Sequence, residues 1–187
     1  MQKIWLASDT HFGHKKILDF TKRTEGFEER FLTAWDNIVG SNDVVMLLGD
    51  IAWGKVSYWF GRLREMPGQK VLLMGNHDRN KPKWYSKFVD RVVPFNESLL
   101  HRYEPYGNIM FTHIPAFPSV LTSYDERFLG LSHKFNRQFD TSSCILNVHG
   151  HTHGVANERH NTIDVSLDVI GEQLVTIDQV FNQKFKS

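Results

Sequence analysis

The sequence predicts an α/β fold in which two packed β-sheets are flanked by helices, and three observations carry that reading. Short apolar runs alternate with amphipathic segments through the first half of the chain, strand-like runs dominate the second half, and Ile163, Val165, Leu167 and Val169 alternate with Asp164, Ser166 and Asp168. The first pattern is the sequence form of β-α units around a largely parallel sheet. The last is the period-two signature of a strand with one covered face.

Taken in order, Ile4 to Ala7 is the first strand. Phe27, Phe31, Trp35 and Ile38 recur every three or four residues, which predicts a helix between Gly26 and the break at Gly40-Ser41-Asn42-Asp43 that covers the sheet. Val44 to Leu48 is a second buried strand, Val56, Trp59, Leu63 and Met66 mark another helix, and Val71 to Met74 is a third strand after the Pro67-Gly68 turn. A helix opened by Pro82 would put Lys83 and Lys87 on its wet face and Trp84 and Phe88 on its buried one. Beyond it, Arg91 to Val93, Ser98 to His101, Ile109 to Thr112, Ile145 to Val148, Thr162 to Val169 and Leu174 to Ile177 are strand-like, and helices become scarce. The stretch 115–143, polar and aromatic, is expected to be a surface excursion near the site.

With 187 residues the chain is expected to be one domain, 1–187, long enough to bury a core without disulfides or a structural metal. Lys+Arg 22 against Asp+Glu 21 leaves a net charge of +1, which disfavours a strongly basic nucleic-acid or anionic-membrane binder. The lone Cys144 sits in an apolar stretch and reads as a small buried residue in a reducing compartment. No apolar run approaches the roughly 18 residues of a membrane span, and the short apolar run at the start is too brief for a signal-peptide core. A cytoplasmic location is the expectation.

Asp, Asn and His concentrate just after apolar runs in five segments: Asp9-Thr10-His11, Gly49-Asp50, Gly75-Asn76-His77-Asp78, His113, and His149-Gly150-His151-Thr152-His153. Loops beyond the carboxyl ends of parallel strands converge, so these clusters are expected to share one crevice. Charged oxygen, neutral carbonyl oxygen and imidazole nitrogen together suit borderline divalent metals such as manganese, iron, nickel or zinc. So many donors exceed one metal but suit two, bridged by a carboxylate such as Asp50 at the roughly 3.5–4 Å of two-metal hydrolases. In Asp9-x-His11 and His151-x-His153, residues two apart can point to one side of an extended strand end. Gly49, Gly75 and Gly150 would let backbone approach the metals.

This ordered set resembles the calcineurin-like metallophosphoesterase superfamily, whose pattern is D-x-H, G-D, G-N-H-D/E, H and G-H-x-H, with the small bacterial and phage members nearest. The resemblance spans residues 9 to 153 and implies a four-layer α-β-β-α sandwich of two mixed sheets. By matching positions it implies one metal on Asp9, His11, Asp50 and His153 and another on Asp50, Asn76, His113 and His151. It gives His77 the role of a catalytic histidine that serves the departing oxygen without binding metal. A metal-bridging hydroxide would then attack phosphorus in line, with manganese the leading metal.

The sequence departs from the superfamily's protein phosphatases, which extend G-D into G-D-x-x-D-R-G. Here the segment is Gly49-Asp50-Ile51-Ala52-Trp53-Gly54, so Trp53 stands in place of the acid that orients the histidine, and Asp78 is a candidate partner for His77. His14 and Arg79 are candidate substrate contacts. His14 equally suits the first turn of a helix, and His149 is either an outer hydrogen-bond donor to the site or a strand-end residue. Tyr124, Arg127, His133, Lys134 and Arg137 would line a substrate lid or solvate a loop. The expected activity is hydrolysis of a phosphomonoester or phosphodiester of a small molecule or nucleotide. The alternatives are a nuclease acting on nucleic-acid ends, which the small net charge disfavours, and a non-enzymatic metal-binding scaffold.

Overall fold

A computed structural model describes residues 2–104, 107–155 and 161–185. The chain runs through β1 (Ile4–Ala7), α1 (Ile17–Phe20), α2 (Phe27–Ile38), β2 (Val44–Leu47), α3 (Val56–Glu65), β3 (Gln69–Leu73), α4 (Pro82–Tyr85), β4 (Arg91–Val93), β5 (Leu99–Tyr103) and β6 (Gly107–Phe111). Two 3-10 turns, Pro118–Val120 and Ser123–Phe128, lead into α5 (Leu129–Thr141), followed by β7 (Cys144–His149), β8 (Thr162–Asp164), α6 (Leu167–Ile170), β9 (Val175–Thr176) and α7 (Ile177–Phe185).

Among the described residues the strands form two mixed sheets. One has the order β4-β3-β2-β1-β9 and the other β5-β6-β7-β8. In the first, β1 to β4 are parallel and β9 joins antiparallel at the edge. In the second, β5 is antiparallel to β6, while β6, β7 and β8 are parallel.

Strand alternation builds the layers. Leu6, Met46, Leu48 and Leu73 point from the first sheet to Ile109, Phe111, Leu146 and Val148 of the second, forming the core between the sheets. Trp5, Ala7, Val45, Leu47 and Leu72 point the other way, onto Phe27, Phe31 and Trp35 of α2 and Phe60 and Leu63 of α3. The outer face of the second sheet, through Met110 and Cys144, meets Phe117, Phe135 and Phe139. Cys144 is buried, as its apolar neighbours predict. These are the four layers, helix, sheet, sheet, helix.

Several elements differ from the sequence expectation. The stretch 115–143 supplies the outer helical layer: Phe135 and Phe139 of α5 are buried while His133, Lys134 and Arg137 are exposed on its wet face. That amphipathic spacing was masked by the polar and proline-containing residues ahead of it. The Tyr124 side chain lies outside what the structure describes. The alternating run 162–169 is a strand only as far as Asp164, because the Asp164 carboxylate accepts the Ser166 N–H at 2.7 Å, an Asx turn that ends the ladder before α6. On α2, Ile38 stays 38% exposed, so the buried stripe stops at Trp35.

Asp43 ties the starts of β1 and β2 together. Its carboxylate accepts the Lys3 N–H at 2.9 Å, the buried Trp5 indole N–H at 2.9 Å and the Gly40 N–H at 3.0 Å. These donors, the Lys3 amide foremost, hold the Asp43 carboxyl below its ordinary value. Asp43→Ala is expected to lower stability by about 1–3 kcal/mol, read from urea denaturation at neutral pH, because it leaves the Trp5 N–H unsatisfied. A depressed folded pKa makes this contribution present above the unfolded value of about 3.9 and lost as pH falls through the folded one. The gap between parent and variant should therefore narrow in acid.

Candidate metal centre

The loops after β1, β2, β3, β6 and β7 meet at one end of the sandwich, as expected for parallel strands. Backbone bonds fuse the first two: Asp9 N–H donates to Gly49 O at 2.9 Å and His11 N–H to Asp50 O at 3.0 Å. Glycines make the approach possible. A Cβ on Gly75 would stand 2.1 Å from Asp50 Oδ1, and one on Gly150 would stand 2.0 Å from Ser8 Oγ.

The local backbone is not the extended strand end that the two-residue spacing suggested. Asp9, His11, Asp50, His151 and His153 all have positive φ, from 47° to 71°. Such left-handed backbone costs an L-residue of order 1–3 kcal/mol and persists only where surrounding bonds over-determine it. In each of D-x-H and H-x-H both outer residues adopt it, and the paired side chains converge through turns.

Five of the expected ligands gather closely. Ligand atoms of Asp9, His11 and His153 lie within 4.8 Å of one another, as do those of Asp9, Asp50 and His113. Asp50 Oδ2 lies 3.9 Å from His11 Nε2 and 3.5 Å from His113 Nε2, and His153 Nε2 lies 3.6 Å from Asp9 Oδ1. Asn76 Oδ1 is 3.0 Å from His113 Nε2. His151 enters through its backbone N–H, which donates to Asp9 Oδ2 at 2.8 Å, and its ring lies 5.3 Å from that of His113.

His77 sits beside this group, with Nε2 3.9 Å from Asp50 Oδ2 and its backbone N–H donating to Asp50 Oδ1 at 2.8 Å. His14 has its ring 5.7 Å from His11. Arg79 is exposed at the rim. His149 is buried at the end of β7, its Nδ1 2.9 Å from Gly150 O.

The residues present fit divalent cations. Asp9 Oδ1 and His11 Nε2 are buried and have no hydrogen-bond partner among the described residues. Such atoms are costly unless something satisfies them. Burial pushes the Asp9 carboxyl up and pushes His11 down to about 3. Burial also opposes ionisation of Asp50, yet His113, His11 and His77 around it outweigh that and hold it well below the carboxylate range. His113 donates from Nδ1 to Leu48 O at 2.7 Å, so its Nε2 faces the oxygens of Asn76 and Asp50. Although burial lowers His113, Asp50 pushes it up to about 10. Asp50 thus draws positive charge onto His113, a charge that cations beside Asp50 would supply in place of that proton.

Outer partners that the sequence reading missed orient the donors. Asp168 Oδ2 holds His153 Nδ1 at 2.5 Å, and Arg23 grips the same carboxylate through Nε at 3.0 Å and Nη2 at 2.7 Å. Arg23 also donates to the Asp9 and Thr10 carbonyls. Asp125 Oδ1 lies 3.0 Å from His151 Nε2 while its Oδ2 caps its own turn through Thr122. Carboxylates behind imidazoles fix the tautomer of metal-binding histidines. Asp168 was hidden in an alternating run. Thr122-x-x-Asp125 is a capping-box spacing that could have marked the turn, though not its contact with His151.

Asp78 does not partner the His77 ring. Its buried carboxylate accepts the Asp50 N–H at 2.9 Å, the Gly75 N–H at 2.8 Å and the Ile51 N–H at 3.3 Å, stapling two loops. Burial, then Asp50, pushes it up to about 7. The His77 ring lies instead against Trp53, 5.1 Å away between ring centroids, and His11 at 5.8 Å, with His14 stacked on the indole at 4.7 Å.

Comparison with known proteins agrees with this fold. A family model described as calcineurin-like phosphoesterase matches residues 2–179. The Gene 66 protein of Mycobacterium phage L5 is 29% identical over 204 aligned residues, covering 97% of this chain and 94% of the relative. An uncharacterized protein of Methanocaldococcus jannaschii is 28% identical over 193, covering 96% and 90%. A solved structure of a protein of unknown function from Aquifex aeolicus superposes with a TM-score of 0.82 at 22% identity, covering 98% of this chain and all of the other. That last likeness bears on the fold.

Proposed function

The chain belongs to the calcineurin-like phosphoesterase family, and from that premise we propose that it hydrolyses a phosphomonoester or phosphodiester of a small molecule or nucleotide at a two-metal centre. The observation that carries the reading is the convergence of Asp9 Oδ1 and His11 Nε2, buried and unpartnered, on Asp50 and His153.

Asp9, His11, Asp50 and His153 would hold one cation, and Asp50, Asn76, His113 and His151 the other. Asp50 would be shared by the two, its Oδ2 standing 3.9 Å from His11 Nε2 and 3.5 Å from His113 Nε2. With Nε2 engaged by Asp125, His151 would offer Nδ1. When bound, the cations supply Lewis acidity, neutralising phosphoryl oxygens and lowering the pKa of the attacking water. Manganese is the metal we would load first, with iron, zinc and nickel as alternatives.

The chain's own residues do the rest. Asp168 and Arg23 fix the His153 ring, and Leu48 O fixes His113 with Nε2 toward the site. His77 stands beside Asp50 and outside the ligand set, and would protonate the oxygen that leaves as the new phosphorus–oxygen bond to water forms.

Purified protein with manganese is expected to hydrolyse p-nitrophenyl phosphate or bis-p-nitrophenyl phosphate, and a chelator to abolish turnover and release metal measured by atomic absorption. Bound metal with no turnover of any ester would instead favour a scaffold. No described helix is long and apolar enough to cross a membrane.

A further inference from the structure

A cleft of about 390 Å³ opens beside Asn76 and His77, lined also by Arg79, Phe95, Arg127 and Phe128. Arg79 follows β3 and Arg127 comes from the 3-10 turn ahead of α5, so the fold brings two distant cations to one opening.

Both arginines are exposed, and among the described residues neither pairs with a carboxylate. By contrast Arg23, Arg30, Arg62 and Arg102 each do. Aromatic rings hold the two guanidinium groups instead: Arg79 lies 5.6 Å from the Trp53 ring centre and Arg127 lies 4.7 Å from that of Phe128. Stacking fixes a guanidinium while leaving its edge N–H donors free for an acceptor. Two such groups at one opening form a fork suited to phosphate.

The half-buried rings of Phe95 and Phe128, 5.9 Å apart, add apolar surface of the kind that accepts a base. The cleft volume is at the small end for ligand pockets, and the net charge of +1 argues against a long nucleic-acid footprint.

Building on the phosphoesterase reading, we propose that this cleft receives the leaving-group side of the substrate, and that the leaving group is a nucleotide carrying a phosphate of its own. Arg79 and Arg127 bind that second phosphate, and Phe95 and Phe128 contact the base. The scissile phosphate stays with the metal centre, and His77, which borders both, faces the bond between them.

The test compares kcat/KM of the manganese-loaded protein on thymidylyl-thymidine and on the same dinucleotide bearing a terminal 5′- or 3′-phosphate. One of the phosphorylated forms is expected to be preferred by about tenfold, the scale of a charge-assisted contact. Arg79→Gln and Arg127→Gln should each bring that ratio toward one. A ratio near one in the parent, or one that survives both substitutions, overturns the proposal. A longer oligothymidylate identifies the source of the nucleotide: cleavage as efficient as the phosphorylated dinucleotide assigns the cleft to strand ends, and poorer cleavage to free dinucleotides. Calorimetric titration with adenosine 3′,5′-bisphosphate separates the cleft from the chemistry. Binding weakened about tenfold or more in the doubly substituted protein supports the cleft even if no ester turns over, whereas absent binding, or equal affinity in parent and variant, overturns it.

Discussion

Asp50→Asn is expected to empty both metal positions and to reduce turnover by more than about 100-fold, beyond the range that outer hydrogen-bond partners of a metal site command. The substitution nearly preserves shape. An amide oxygen at the Oδ1 position can still accept the His77 N–H, and the Asp50 backbone N–H still reaches Asp78. What changes is the second atom: an NH2 donor would replace the carboxylate oxygen that faces His11, His113 and His77 at 3.5–3.9 Å. A neutral donor there removes the charge that a cation pair would share and turns hydrogens toward it. Metal content per chain, measured beside circular dichroism, is the decisive readout. A folded Asp50→Asn protein that retains the parent's metal content would remove Asp50 from the bridge.

That prediction draws on the part of the molecule most legible in the sequence. Asp9, His11, Asp50, Asn76, His113 and His153 follow strands whose apolar runs are plain, and strand topology brings their loops to one end of the sandwich. The first sheet was legible for the same reason, since Val44–Leu47 and Gln69–Leu73 lie parallel and are covered by helices with a clear apolar stripe. What failed was local. The alternation from Ile163 to Val169 has strand period, but a side-chain bond from Asp164 competes with the ladder and ends it, which period alone does not disclose. The two-residue spacing of Asp9 and His11 fits an extended backbone equally well, so nothing in it announces the left-handed turns that buried contacts impose. Arg23, Asp125 and Asp168 were invisible because each acts across the fold, joined to its partner by tertiary packing rather than by neighbouring sequence.

His77→Ala is expected to leave metal content unchanged and to lower kcat by about 10²–10⁴-fold on alkyl phosphoesters, while p-nitrophenyl esters lose much less. The ring is no member of either ligand cluster, and its backbone bond to Asp50 Oδ1 survives truncation. An alkoxide needs a proton as it departs, whereas p-nitrophenolate leaves without one, so a missing acid shows as a dependence on leaving-group basicity rather than as a uniform loss. Among the described residues no carboxylate hydrogen-bonds this ring: Asp78 is occupied with three backbone amides, Asp50 Oδ2 stands 3.9 Å from Nε2, and His77 Nδ1 has no partner. Of the rings beside His77, that of His11 at 5.8 Å belongs to the expected ligand set, whereas the indole of Trp53 at 5.1 Å, backed by His14, does not, so Trp53 would be the positioning contact. Trp53→Ala should then reproduce part of the same leaving-group dependence with metals still bound, and Trp53→Phe should restore much of it by keeping a ring in place. A rate loss in His77→Ala that is equal for alkyl and p-nitrophenyl esters would deny His77 the role of acid, and with it the positioning role of Trp53.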